Sequence, residues 1–161
     1  MKEKIQKYLS GEREGFSLVE LIIVIAIMAI LIGVVALAVI PNISKSRESK
    51  DLATLDAICS ALNAGVANSQ AKANDTFEFT TAKVATPANE TDKVKNATID
   101  ALGSGSSSLS SVPEGKKIFC QFDVPGKIIK VYVADAANGN VETCKYTKDK
   151  DGNPQKYEVT N

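Results

Sequence analysis

The residue types best placed to do chemistry are crowded into one short stretch. Gly15-Phe16 is followed four residues on by Glu20, the only charge ahead of twenty uninterrupted uncharged residues, Leu21 to Ile40. A carboxylate at the mouth of a membrane-length apolar helix is expensive to keep, so it calls for a partner. Attraction to the positive end of the helix dipole accounts for its position at about a few tenths of a kcal/mol, but not for the cost of holding it beside lipid. The chemistry this stretch predicts is charge pairing. Catalysis has little to draw on, because the 161 residues contain no His. That removes His-based nucleophile activation, His-based general acid-base work and the commonest metal ligand.

Other candidate groups are weaker. Three cysteines, Cys59, Cys120 and Cys144, permit one disulfide with a thiol left over, or three small buried hydrophobes, and the sequence does not choose. Asp149-Lys150-Asp151-Gly152-Asn153 superficially resembles a calcium loop, but its Gly falls too early and the distal Glu is missing. A hairpin turn is the expectation there, with no metal and no cofactor. Acceptor sequons occur at Asn42, Asn74, Asn89 and Asn96, and carry weight only in a glycosylating secretory context.

Nineteen basic residues balance nineteen acidic ones, so no charge field gathers nucleic acid or cations, and no specific nucleic-acid partner is expected. Leu21 to Ile40 would span about 30 Å as a helix, the thickness of a bilayer's hydrocarbon core. Three readings fit: a plain anchor, a secretory signal cut at Ala36-Leu37-Ala38, or a helix retained after removal of the polar leader that ends in Gly15. Apolar residues continue beyond it at spacings of three and four, as Leu52, Leu55, Ile58 with Cys59, Leu62 and Val66. One helix could therefore run from the bilayer to the base of a soluble head.

Read as it stands, Gly15-Phe16-Ser17-Leu18-Val19-Glu20-Leu21 resembles the processing site of prepilins, the precursors of type IV pilins and the related pseudopilins. The resemblance implies that a prepilin peptidase cuts after Gly15 and methylates the new Phe16 amine, which keeps its positive charge. It also implies that Glu20 of an incoming subunit neutralises the Phe16 amine of a subunit already in place. Such a heterologous contact does not close, so it generates a helical filament. The implied product is a pilus subunit, held in the membrane as a single-pass protein until an inner-membrane assembly platform polymerises it on the cell surface. Alternatives are a pseudopilin of a type II secretion or competence DNA-uptake machine, a membrane-anchored binding protein that never polymerises, and a secreted domain. This chain departs from the family in two ways. Its leader cations Lys2, Lys4, Lys7 and Arg13 are nearly offset by Glu3, Glu12 and Glu14, and the family's Gly and Pro places hold Ala29 and Leu37.

Gly33 and Pro41 stand one turn later instead. Pro41 has no N–H to donate and crowds the carbonyl of Leu37, so the stretch from Gly33 to Pro41 is where the helix should loosen inside a fibre. The alternative is an ordinary membrane-helix Pro that is simply accommodated.

The predicted fold class is α+β, a long N-terminal helix packed on a small antiparallel head. The expected divisions are a leader over 1–15, a membrane and filament-core helix over 16–41, an amphipathic continuation over 42–72, and a head over 73–161. From residue 16 to about 72 the helix would make a rod of roughly 85 Å. In the head, a short strand is expected around Phe77 and Phe79, then a helix over Asp92–Leu102 with Val94, Ala97, Thr98, Ala101 and Leu102 inward and Gly103 as its stop. Gly103 to Ser111 reads as a flexible linker. Strands follow at Ile118-Cys120-Phe122, Ile129-Val131-Val133, Val141–Thr147 and Lys156–Thr160, joined by turns at Pro125-Gly126, Asn138-Gly139 and Asp151-Gly152. A sequential meander would hold Cys120 and Cys144 about 10 Å apart, beyond disulfide reach. Family members commonly pin the C-terminal region with a disulfide, implying Cys120 to Cys144. The pairing, with or without Cys59, stays open.

Overall fold

The computed structural model describes residues 16–103 and 109–161. Gly15 with the rest of the leader, and most of the Gly/Ser linker, lie outside the described residues. The chain divides into two compact units between Ile40 and Pro41. In the first, Leu18 opens helix α1 (Leu18–Ser69), and every residue from Leu21 to Ile40 is exposed. By length and composition this helix can cross a membrane. It stays helical through Pro41.

The second unit contains the rest of α1, strand β1 (Asn74–Glu78), helix α2 (Glu90–Leu102), and strands β2 (Lys117–Asp123), β3 (Ile128–Ala134), β4 (Thr143–Lys148), β5 (Pro154–Lys156) and β6 (Glu158–Thr160). The inner stripe of α1, Leu55, Ile58, Cys59 and Leu62, is buried in one core with Phe77, Ile118, Cys120, Phe122, Val131, Val133 and Tyr157. Fully burying a Leu or Ile side chain contributes about 1.5–3 kcal/mol. This stripe therefore carries much of the head's stability.

The strands do not form the sequential meander predicted above. A four-stranded antiparallel sheet runs β1-β2-β3-β6, so the last strand, not the next, lies beside β3, while β4 pairs with β5 in a separate two-stranded sheet. The reason lies in the other face of β3. Tyr132 and Ala134, with Phe119 of β2, form a second small cluster covered by Val141. Lys116 pins the intervening loop through Asp135 and Glu142, each at 2.9 Å, and Asn138 N–H donates to the Tyr132 hydroxyl at 2.9 Å. The chain after β3 is thus spent covering the sheet; it touches the β3 edge only at Glu142, whose N–H donates to the Val133 carbonyl at 2.8 Å, and the rest of that edge is left to β6.

Helix α2 starts two residues before the expected position because Asn89 caps it, its side chain accepting the Asp92 N–H at 2.8 Å. Its end at Gly103 (φ 62°) is as expected. Val94 and Thr98 are buried as predicted, whereas Ala101 is exposed. Two sequon asparagines are structurally engaged. Asn89 is this cap, and Asn96 both accepts from Val84 N–H and donates to Val84 carbonyl at 2.8 Å.

Where α1 meets α2, the glycine at 65 permits direct backbone approach: a Cβ there would stand 2.8 Å from Thr98 N. Gly65→Ala is expected to destabilise the head by about 1–3 kcal/mol through overpacking. Denaturant titration of the full chain in detergent, followed by tyrosine circular dichroism, measures the loss, and an unchanged midpoint would disprove the close crossing.

Candidate processing and assembly site

At the N-terminal tip, Ser17 caps α1. Its backbone N–H donates to Glu20 Oε2 at 2.9 Å, and its hydroxyl accepts the Val19 N–H at 3.4 Å. Ser17-Leu18-Val19-Glu20 thus has the spacing of a capping box: Glu20 satisfies the cap's N–H, while the Ser17 hydroxyl takes the N–H of the second helical residue, Val19, instead of the third. The Ser-x-x-Glu spacing is readable in the sequence. One carboxylate oxygen is used in this cap. A carboxylate offers about four lone-pair sites, so most of its accepting capacity remains. Phe16, next to the cap, is 86% exposed. The structure thus brings Phe16, Ser17 and Glu20 together at one helix end.

Two further carboxylates on α1 were not expected to matter. Glu48 is 3% exposed and Asp51 1%. Glu48 accepts N–H bonds from Lys145, Tyr146 and Thr147 at 2.7–3.1 Å, and the Thr147 hydroxyl at 2.8 Å. Successive N–H groups of a regular strand point in opposite directions. Here β4 is irregular between Thr143 and Lys148, and three consecutive donors converge on one anion. Asp51 takes N–H bonds from Ser110 and Ser111 at 2.6–3.0 Å, and the Ser110 hydroxyl at 3.2 Å. The sequence signal was present, since Glu48, Asp51, Leu55, Ile58 and Leu62 continue the same helical spacing inward.

The cysteines are three buried free thiols, and Cys120 and Cys144 stand on strands of different sheets. Burial pushes all three thiol pKa values up, with Asp56 adding to the effect at Cys59. For Cys144 the value is about 11, with the neighbouring Tyr157 pulling slightly the other way. Thiolates are the reactive form, so these sulfurs are suited to packing. The Tyr157 hydroxyl lies against Cys144 without a hydrogen bond of ordinary geometry. In the turn resembling a calcium loop, Asp149 Oδ1 accepts the Asp151 and Asn153 N–H groups at 2.9 Å each. That carboxylate tightens the β4–β5 hairpin.

Residues 12–39 match the prokaryotic N-terminal methylation motif. The motif is the hallmark of type IV pilin and pseudopilin prepilins. No curated protein and no solved structure matches the chain. The methylation motif implies processing by a prepilin peptidase, and with the exposed apolar helix it fits membrane anchoring before assembly. It points to a structural rather than a catalytic protein. The matched segment contains Phe16, Ser17, Glu20 and Gly33. Glu48, Asp51 and the cysteines lie beyond it.

Burial raises the Glu48 pKa, but the Thr147 hydroxyl and the Tyr146, Lys145 and Thr147 N–H groups together outweigh it, so the carboxyl sits below its ordinary 4.5. A depressed folded-state value stabilises the fold above the unfolded value, and that contribution disappears as pH falls through the folded one. The denaturation midpoint should therefore drop as pH falls below about 4.5, with a shallower drop in Glu48→Gln. Glu48→Ala should cost about 2–4 kcal/mol at neutral pH, since buried donors lose a charged acceptor. Identical pH profiles for parent and Gln variant would contradict this role.

Proposed function

We propose that the chain is a type IV pilin-class structural subunit, cleaved after Gly15, methylated at Phe16 and polymerised into a surface filament. The observation that supports this best is the helix tip. A carboxylate with spare accepting capacity stands one helical turn from the residue that becomes the N-terminus, followed by twenty exposed uncharged residues. An apolar face of that extent marks a membrane or protein interface, and in a bundle of such helices an unpaired charge would cost several kcal/mol. Glu20 of one copy and the Phe16 amine of another relieve each other.

In the single chain Glu20 accepts one hydrogen bond, from the Ser17 N–H. That bond keeps the carboxylate oriented at the tip while its other lone pairs await an amine. The assembly platform and a second copy are the partners this requires, and lipid surrounds the helix before assembly. Inside the fibre, the helix loosens between Gly33 and Pro41, where the absent Pro41 N–H leaves the Leu37 carbonyl without its helical donor.

Mass spectrometry of the protein recovered from cells should find methylated Phe16 at the N-terminus. Val39 there would mean secretory processing, and Met1 a plain anchor. Glu20→Ala should be cleaved and membrane-retained yet give few or no filaments by electron microscopy, and a normal filament yield would sink the pairing. Long fibres from overproducing cells support a pilin, and short ones a pseudopilin. For the loosened segment, a filament reconstruction should show missing backbone hydrogen bonds near Leu37, and an unbroken straight helix there would refute it.

A further inference from the structure

Three cations, Lys45, Arg47 and Lys50, follow the apolar run within ten residues of Ile40, and all are exposed. Helical spacing offers two of them acidic partners. Glu48 lies three residues after Lys45, and Asp51 four after Arg47, the separations at which ion pairs form on a helix surface. Neither pair forms among the described residues. Glu48 and Asp51 instead point into the head, where donors from 145–147 and 110–111 engage them. Head lysines Lys83, Lys116, Lys117 and Lys130 do find carboxylates. From Pro41 to Asp51 the exposed residues therefore carry three positive charges and no negative one.

We propose that Lys45, Arg47 and Lys50 form a collar that binds anionic phospholipid headgroups where the helix leaves the membrane. This rests on the reading of the chain as a membrane-held subunit. Charge complementarity names the ligand class. On a helix Lys45, Arg47 and Lys50 follow Ile40 by about 7.5, 10.5 and 15 Å, from the outer edge of a headgroup layer outwards, that layer being about 5–7.5 Å deep, half the difference between a core of about 30 Å and a bilayer of about 40–45 Å. Long basic side chains reach back towards such a layer while their stems stay on the helix. The intervening Ser46 and Ser49 are small and do not crowd a phosphate.

The test uses the full chain reconstituted in phosphatidylcholine vesicles, with electron spin resonance comparing spin-labelled phosphatidylglycerol and spin-labelled phosphatidylcholine at the protein boundary. The anionic label should be preferred by about threefold or more at low salt, and the preference should shrink at high salt. Replacing the collar together (Lys45→Gln, Arg47→Gln, Lys50→Gln) should remove most of that preference. Changing three exposed lysines of the β4–β5 hairpin (Lys148→Gln, Lys150→Gln, Lys156→Gln) should leave it intact. Leader cations are common to all three proteins and drop out of the comparison, and an unchanged denaturation midpoint certifies the head. Equal selectivity in parent and collar variant overturns the proposal. So does a collar variant that alters cross-linking between copies but not lipid selectivity, which would assign the cations to a second subunit. Failure of the parent to resist carbonate extraction would instead overturn the membrane reading itself.

Discussion

An ionised carboxylate on an apolar helix face must be given donors, and α1 carries three such groups. None is matched by a lysine or arginine among the described residues. Glu20 is held by the N–H of Ser17, Glu48 by the backbone of β4, and Asp51 by Ser110 and Ser111. Hydrogen bonds to charged groups contribute roughly 1.5–3 kcal/mol net, and a half-satisfied site is worse than an apolar one. The difference between the three lies in how far away their donors are. Glu20 draws on its own first turn, so its bond can be shared or exchanged. Glu48 and Asp51 draw on segments 59 to 99 residues away, and they staple two otherwise separate stretches of the head to the helix.

That arrangement divides the helix by task. Its first stretch leaves its apolar side chains exposed and carries one adaptable acid at the tip. Its later stretch buries an apolar stripe and two committed acids. Consuming those acids inside the head also alters the outside of the molecule, because the nearby cations lose their natural neighbours. Charge neutrality over the whole chain thus conceals a local imbalance at the place where the helix leaves its uncharged segment.

Features with a local cause were legible in the sequence. The apolar run, the stripe Leu55-Ile58-Leu62, the stop at Gly103, and the alternation of Ile118-Cys120-Phe122 depend on neighbours within a few residues. The order of the strands was not. Adjacent strands usually pair, which favours β3 beside β4, but the chain crosses over Phe119 and Tyr132 before it regains the β3 edge at Glu142, and the rest of that edge goes to β6. Glu48 and Asp51 escaped for a related reason. Their spacing placed them on the inner face, yet nothing local reveals that distant N–H groups converge to receive them. The cap at Ser17, by contrast, is local, and its Ser-x-x-Glu spacing is legible in the sequence.

The separation between Glu48 and its donors also has a meaning in time. The chain is made from its N-terminus at about 5–20 residues per second, and the first donor to Glu48 lies 97 residues further on. For roughly 5–20 seconds the helix therefore exists without the groups that will neutralise it. During that interval two ionised carboxylates and three cations, all still hydrated, stand directly behind the uncharged run. Residues 45–51 therefore carry a net charge of +1 until the head folds around the two acids, and an exposed charge of +3 afterwards.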